Sequence, residues 1–411
     1  MTQNAFEILQ QRGFVKQTND EAGIRAALGE KALTYYIGFD PTASSLHCGS
    51  LVPIMAMAHL QRAGHKPVAL VGGGTAAVGD PSGKTEMRQM LSYEDISANA
   101  RGILGQLQRY LTLDGAAGLS ANNGDWLMKL NYIEFLRDIG RYFRVNEMIR
   151  ADAYKARLER EEGLSFIEFN YQLLQAYDYL ELFERHDCVL QMGGDDQWSN
   201  ILAGTDLIRR KHAKQAYCLT FPLLTTSGGA KMGKTAAGAI WLDAQRTSPY
   251  DFYQYWIGTD DRDVKRWLAL FTFLPMDEVE RLGAAQGAEL NASKEVLAYE
   301  ATRLCHGEAA ASEARAAAKA AFGGGGDLSA MPTTTVAVDR LAAGIAVLDL
   351  FVETGLTPSK GEARRLVQQG GAYVNDTVIS DPQAKVGSAD LKEGALLLRA
   401  GKKKYHRVLA G

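Results

Sequence analysis

Apolar residues in the first half of the chain fall into short blocks separated by polar, glycine-bearing turns. Residues 33–39 (LTYYIGF) make a block of strand length, and 47–63 carry apolar residues at helical spacing. Residues 67–72 (PVALVG) make a second block that ends in Gly72-Gly73-Gly74. Strand, helix and strand with short links predict a right-handed parallel unit. The pattern returns at 188–192 (CVLQM), which is followed by Gly193-Gly194. A helix is then expected from about Gln197 to His212, and a strand over 216–224. Between the two units, over about 95–187, the pattern predicts a mostly helical insert. One of its helices should begin at Ser165, because Glu168 stands three residues on, the spacing of a capping box.

Beyond Lys234 the pattern is helical to about Ala321, and 309–321 (AAASEARAAAKAA) has very high helix propensity. FGGGGDLSAMPTTT then reads as a linker. From Gly344 a small module follows, with a helix at 359–369, Gly370-Gly371 and short strands starting at AYVN. The expected fold is therefore α/β. Residues 1–224 form a Rossmann-like parallel-sheet domain carrying the insert, and 225–321 a loop plus an α-helical domain. Residues 322–343 are a glycine-rich linker, and 344–411 a small α+β domain.

A chain of 411 residues has room for two to three domains at roughly 150 residues each. With 46% hydrophobic and 23% charged residues it is neither disordered nor fibrous. The net charge of −3 excludes a polycation, but the charge is uneven. Residues 345–411 hold 10 Lys/Arg against 7 Asp/Glu, and residues 1–344 hold 35 against 41. A basic C-terminal end on an acidic body permits nucleic acid as a partner. Cys48, Cys188, Cys218 and Cys305 form no CxxC pair, which argues against a disulfide scaffold or a zinc site. No apolar run reaches the length of a membrane helix, and MTQNAFEI lacks a basic segment followed by an apolar one. The expectation is a reduced, cytoplasmic protein with no membrane partner.

In an open parallel sheet, ligands bind beyond the carboxyl ends of the strands. Asp40 and Thr42 lie at the exit of the first strand, and His47 and Gly49 at the start of the following helix, where free N–H groups favour anions. GGGTAAVGDPSGKT (72–85) approaches a Walker A loop but has Val78 where that motif needs glycine. Lys84 and Arg88 remain as cations four residues apart. Tyr171, Gln175 and Asp178 share one helix face, which suits a pocket for a polar ligand. Asp196 and Gln197 follow Gly193-Gly194 at another strand exit. Lys231 and Lys234 sit in a loop of small residues, where charge can be delivered to phosphates in a transition state. Each feature alone also reads blandly, as a capped helix, a solvated charged segment, a surface helix face or an exposed lysine loop.

Together the segments resemble the bacterial tyrosyl-tRNA synthetases of the class I synthetase family. HCGS (47–50) is similar to the HIGH motif and KMGKT (231–235) to the KMSKS motif. YIGFDPT, GDPSGK, YQLLQAYD and GGDDQW resemble that family's own signatures, and SKGEARRLVQQGGAYVN resembles an S4-type RNA-binding module. The resemblance implies that tyrosine attacks ATP to give tyrosyl-adenylate and pyrophosphate, and that the tyrosyl group then passes to the 3′ end of tRNA(Tyr). By resemblance, Tyr36 and Asp178 bind the substrate phenol, and Asp80, Tyr171 and Gln175 its ammonium group. Asp40 and Gln197 line the site near the α-phosphate, and Thr42 and His47 meet the γ-phosphate. Gly38, Gly49, Ser50, Gly194 and Asp196 belong to the ATP site. Lys84, Arg88, Lys231, Lys234 and Thr235 close on the pyrophosphate. The resemblance also implies Mg²⁺ accompanying ATP, no zinc, and a homodimer, with the insert around Phe166 as the contact.

The chain departs from the family pattern at Ser50, where HIGH has its second histidine, and at Asp195 and Ser199. Asp195 beside Asp196 either repels phosphate or binds Mg²⁺. Residues 399–407 (RAGKKKYHR), with Arg364 and Arg365, are the expected RNA-facing cations, and the seven Lys/Arg of 137–160 can face the acceptor arm. Two rivals stand beside this reading. A tryptophan-specific relative is opposed by Asp178 and Tyr36, and a catalytically dead RNA-binding protein by the retained His47, Lys231 and Lys234.

Overall fold

The apolar blocks of the N-terminal half pair into one six-stranded sheet. Its strands are β1 (Gln17–Thr18), β2 (Thr34–Phe39), β3 (Lys66–Val71), β4 (Leu119–Asn122), β5 (Cys188–Gly194) and β6 (Tyr217–Phe221), in the order β1-β6-β5-β2-β3-β4. All neighbours run parallel except β1, which pairs antiparallel with β6 at the edge. The computed structural model describes residues 3–82, 91–151, 154–155, 158–159, 163–229, 231–235, 238–323, 331–392, 394–401 and 404–411. Internal contacts divide the chain into two units, Met1–Asp243 with Asp260–Ala285, and Ala244–Thr259 with Gln286–Gly411.

The sheet contains two strands that the hydrophobic pattern misses. β4 lies within the stretch expected to be a helical insert, yet pairs with β3. Its residues, LSAN, alternate, with Leu119 and Ala121 half-buried against the core, but a run of four residues is too short to read as a strand. The capping box at the start of the helix Phe166–His186 is present, with Ser165 and Glu168 satisfying each other's backbone N–H. That helix packs against the helix Trp198–His212. At Gly204 a Cβ would meet the Tyr179 ring at 2.7 Å, so glycine permits the close approach. Tyr179 in turn packs on Tyr36, with ring centroids 5.3 Å apart.

The boundaries expected after residue 224 change. Residues 260–285 belong with the sheet rather than with the helices around them. The reason is burial. The helix Val264–Phe271 buries Val264, Trp267, Leu268, Leu270 and Phe271 against the helix Leu51–Arg62, itself buried along nearly its whole length. Arg12, 7% exposed, fixes the end of that helix. Its Nη1 donates to the carbonyls of Ala269 and Thr272, at 2.9 and 3.1 Å, and its Nη2 donates to that of Leu274, at 2.6 Å. Burial brings the Arg12 pKa down to about 10, with Arg62 adding repulsion. The cation survives because it faces the carbonyl-rich end of a helix.

In the second unit the helices Pro249–Ile257, Ala288–His306 and Glu308–Gly323 pack together. A five-stranded sheet follows, in the order Thr377–Val378, Ala372–Val374, Ala395–Ala400, Lys404–Ala410, Thr333–Val336. The last pair is parallel, so residues 333–336 belong to this sheet, and the helix Val338–Ala343 follows them. The expected linker over 322–343 is thus too long at its C-terminal end. TTTV is β-branched throughout and fits a pleated surface. Residues 324–330 lie outside the described residues. Within the basic segment 399–407, Arg399 and Ala400 pair antiparallel with Tyr405 and Lys404, while residues 402–403 lie outside the described residues. Arg399 stacks on Tyr373, 3.7 Å from the ring centroid, while Arg364 and Arg365 are exposed on the helix Lys360–Gln368.

Replacing Arg12 by Met removes three charge-assisted hydrogen bonds from buried carbonyls. The expected loss is about 2–4 kcal/mol of unfolding free energy, measured by urea denaturation. A change below about 0.5 kcal/mol would show that the helix end does not depend on it.

Candidate active site

The chain leaves β2 for β3 and β4 on one side, and returns through β5 on the other. The strand order therefore reverses between β2 and β5, and a crevice opens at their carboxyl ends. Asp40 follows β2, and Gly193 and Gly194 close β5. A short 3-10 turn, Asp195–Gln197, leads from β5 into the next helix.

At the floor of the crevice Tyr36 is fully buried, and its hydroxyl has no hydrogen-bond partner among the described residues. Burial, followed by the charge of Asp178, raises its pKa. Asp178 is 2% exposed. It accepts from Trp126 Nε1 at 2.7 Å and from Asn123 Nδ2 at 2.9 Å. Burial pushes its carboxyl up to about 8, although the Asn123 and Trp126 hydrogen bonds pull it down. Asn123 also donates to Thr75 Oγ1 at 2.9 Å and accepts from the Gly74 N–H at 2.7 Å. Thr75 Oγ1 donates to Asp40 Oδ1 at 2.8 Å, and Tyr171 donates to Asp40 Oδ2 at 2.9 Å. One chain of hydrogen bonds thus runs Trp126–Asp178–Asn123–Thr75–Asp40–Tyr171. At Gly72 a Cβ would meet Asp40 Oδ1 at 2.0 Å and Thr75 Oγ1 at 2.5 Å, so this link requires glycine there.

The wall above is acidic. Asp80 is 8% exposed; it accepts from the Ser82 N–H at 2.9 Å and from Gln197 Nε2 at 2.7 Å. Asn200 donates to Gln197 Oε1 at 3.2 Å and fixes the amide's direction. Burial first, then Asp40 and Asp80, raise the Tyr171 pKa, so the phenol stays protonated. Desolvation in the cleft and the charge of Asp80 raise the pKa of Asp196, while Lys231 lowers it. Carboxylates gathered around a phenol and an amide make a pocket for a ligand with a cationic end and a hydroxyl end.

At the rim, the His47 side chain caps the short turn Cys48–Ser50, its Nδ1 accepting the Gly49 N–H at 3.0 Å. The loop that carries Lys231 and Lys234 lies on this turn. A Cβ on Gly49 would meet the Met232 carbonyl at 3.3 Å, and one on Gly233 would meet the Gly49 nitrogen at 2.8 Å. The Cys48 N–H donates to the Ile240 carbonyl at 2.9 Å, and the Leu242 N–H to that of Leu46 at 2.9 Å. The structure thus brings the two segments expected to handle phosphates together through their backbones.

Of the residues singled out in the sequence, Tyr36, Asp40, Asp80, Tyr171, Asp178 and Gln197 converge. Gln175 is half-buried one turn beyond Tyr171 on the same helix. Gly38 faces open space, Thr42 is exposed just past Asp40, Ser50 is half-buried at the helix entrance, and Gly194 and Asp196 close the β5 side. Lys84 and Arg88 lie outside the described residues. Lys234 and Thr235 form the first strand of a two-residue ladder with Gly238–Ala239. Asp195 has a structural role as well, its Oδ1 accepting from Gln17 Nε2 and Thr220 Oγ1, both at 2.8 Å, while its charge raises the pKa of Asp196. It ties the edge strand β1 and its neighbour β6 to the turn after β5. The sequence reading missed Thr75, Asn123 and Trp126. Their types were visible, but nothing local marks them as partners of Asp40 and Asp178. Among the described residues no cluster of three His, Cys, Asp or Glu side chains can hold a metal ion, and no helix is long and apolar enough to cross a membrane.

Residues 28–323 match the family model "tRNA synthetases class I (W and Y)", and residues 327–408 match "Tyrosine–tRNA ligase SYY-like C-terminal domain". The second match begins well before Gly344, in agreement with the strand at 333–336. The tyrosine–tRNA ligase of Desulfosudis oleivorans is 56% identical over 424 residues, covering 98% of this chain and 98% of the relative. That of Clostridium tetani is 53% identical over 409 residues, covering 100% of both. Among solved structures, a C-terminally truncated mitochondrial tyrosyl-tRNA synthetase from Aspergillus nidulans superposes with a TM-score of 0.68 at 32% identity. It covers 76% of this chain and 92% of its own.

The raised pKa of Asp178 has a consequence for stability. An unfolded aspartate releases its proton near pH 4, whereas the folded chain holds it to about pH 8. Across that window the native state binds more protons, so this group's contribution to stability falls as pH rises. Asp178→Asn removes the dependence. In urea denaturation the variant should gain on the wild type between pH 5 and pH 8; an unchanged difference would mean that Asp178 is ionised throughout.

Proposed function

The chain belongs to the class I tRNA synthetases that handle tryptophan and tyrosine, and from that premise we propose that it is a tyrosine–tRNA ligase working through the crevice between β2 and β5. The observation that carries the choice of tyrosine is the buried, unpartnered Tyr36 hydroxyl beside Asp178. An empty polar pair at the floor of a pocket is costly unless the ligand completes it. A phenol does so, donating to Asp178 and accepting from Tyr36. Phenylalanine and tryptophan bring no hydroxyl to that point.

The remaining assignments follow the order of groups along tyrosine and ATP. The ammonium group of tyrosine meets Asp80, Tyr171 and Gln175. Its carboxylate then lies near Asp40 and Gln197, ready to attack the α-phosphorus of ATP. One C–O–P bond forms, the bond to pyrophosphate breaks, and its electron pair leaves with pyrophosphate. No side chain has to form a covalent bond, so the chain's contribution is alignment and charge. Adenine rests on Gly49 and the ribose on Asp196, with Gly38, Ser50 and Gly194 completing the ATP site. Thr42, His47, Lys84, Arg88, Lys231, Lys234 and Thr235 stabilise the charge arriving on the leaving group. Mg²⁺ enters with ATP as its counter-ion. In the second step a terminal ribose hydroxyl of the tRNA takes the tyrosyl group and AMP departs.

Arg364 and Arg365 suit RNA phosphates, and a cleft of about 260 Å³ lined by Trp198, Arg144, Arg150 and Arg210 suits the acceptor end. Tyr132, Ile133, Val145 and Phe166 are apolar and more than half exposed in the insert, which supports a homodimer through that face. The four free cysteines are all buried and fit a reducing cytoplasm.

Pyrophosphate exchange into ATP, run separately with tyrosine, tryptophan and phenylalanine, tests the reading. Exchange is expected with tyrosine alone, and exchange with none of them would overturn it. Tyr36→Phe should narrow the preference for tyrosine over phenylalanine by roughly five- to tenfold, the equivalent of one hydrogen bond of about 1 kcal/mol. Sedimentation should show Phe166→Glu shifted toward the monomer. A wild type that sediments as a monomer at micromolar concentration would refute the dimer.

A further inference from the structure

The loop that carries the two lysines is rich in glycine, and Gly229 and Gly233 adopt positive φ of 83° and 75°. Left to itself such a segment samples many conformations. Its far limb is sutured to the turn Cys48–Ser50, as described above. Its near limb is held by a side chain from elsewhere in the fold. The Ser227 N–H donates to Asp263 Oδ2 at 2.8 Å, and Ser227 Oγ donates to Asp263 Oδ1 at 2.6 Å. Asp263 is 3% exposed, whereas Ser227 is at the surface.

The position of Asp263 is unusual for its use. It is the N-cap residue of the helix Val264–Phe271, yet its side chain does not cap that helix. Both oxygens go instead to one serine 36 residues earlier. A carboxylate this deeply buried needs strong donors, and Ser227 supplies two in a geometry that permits little rotation. The helix behind Asp263 packs on the helix Leu51–Arg62, whose entrance carries His47. Asp263 therefore links the base of the lysine loop to the element that presents His47. Between Thr226 and Gly229 a tight turn follows, with the Gly229 N–H donating to the Thr226 carbonyl at 2.8 Å, and Thr225 bridges to Lys231. Fixing Ser227 thus fixes the register in which Lys231 leaves the hairpin.

We infer that Asp263 and Ser227 form a latch, and that Asp263 is a positioning residue for the pyrophosphate-facing loop. It touches no substrate and acts through the loop backbone. The inference rests on the ligase reading for its kinetic consequence but not for the latch itself. Without the latch the lysines reach the leaving group from a wider ensemble, so the transition state loses stabilisation while bound tyrosine does not.

The test uses the full chain with Ser227→Ala, Ser227→Thr and Asp263→Asn. Ser227 is exposed, so its substitution leaves the core intact. Amide hydrogen exchange on the ligand-free protein reads the latch directly. Residues 224–233 should exchange faster in Ser227→Ala and Asp263→Asn, and at the wild-type rate in Ser227→Thr. Pyrophosphate exchange should show kcat lowered roughly tenfold in Ser227→Ala, with tyrosine Kd unchanged and Ser227→Thr restoring the rate. Unchanged hydrogen exchange would overturn the latch even if the enzyme is active. Faster hydrogen exchange with kcat unchanged would overturn the positioning role. A parallel loss of tyrosine affinity would mean a general disturbance and would also overturn it. No tyrosine-dependent exchange in the wild type would sink the ligase reading alone, leaving the hydrogen-exchange result to decide the latch.

Discussion

Asp178 is a carboxyl group placed where water cannot reach it, and the pocket is built around that constraint. Burial holds its proton to about pH 8, and its oxygens still need partners. Trp126 and Asn123 supply the donors. Asn123 has a second commitment, to Thr75 and the Gly74 N–H, and Thr75 has one to Asp40. Satisfying one carboxyl group at the floor thereby orients a second at the mouth. The backbone must allow this, and Gly72 does, because any side chain there would occupy the space of the Asp40–Thr75 hydrogen bond. The floor and the mouth of the crevice are in this sense one hydrogen-bonded structure.

The rim obeys a different rule. Phosphate chemistry needs cations that arrive in the right place without a standing, buried excess of positive charge. The fold meets this with backbone sutures rather than ion pairs. Cys48 and Leu46 bond to the strand-like residues Ile240 and Leu242, while Gly49 and Gly233 approach closely enough to exclude a Cβ. Arg12 stabilises the supporting helix from behind, and Asp263 holds the loop's other limb.

Much of this was legible in the sequence. Strands β2, β3, β5 and β6 are continuous apolar blocks, as strands covered on both faces should be. Tyr171 and Asp178 share a helix face, so one periodic segment announces them together. What was not legible has a common cause. β4 is an edge strand of four residues with only Leu119 and Ala121 turned to the core, and TTTV follows a glycine-rich run that dominates local composition. Asn123 and Trp126 become partners of Asp178 only through contacts 55 and 52 residues apart along the chain. Thr75 reaches Asp40 across 35 residues. Periodicity reports which face of an element is buried. It does not report which polar atom on another element completes a buried hydrogen bond.

Asp195 sharpens the point, because there the sequence invited a choice between two functional roles and the fold adds a structural one. Charge and position along the chain put it beside Asp196, in a segment that opens toward phosphate. The direction of its side chain is decided by something else, the antiparallel addition of β1 to the edge of the sheet. That addition brings Gln17 within 2.8 Å of Asp195, opposite Thr220. The carboxylate is then spent holding the edge strands to the turn that aims Gln197 at Asp80. An acidic residue at a strand exit thus serves the site through the turn it braces, while its neighbour faces the cleft. Two adjacent aspartates with different partners follow from a tight 3-10 turn, in which successive side chains diverge by about a third of a revolution.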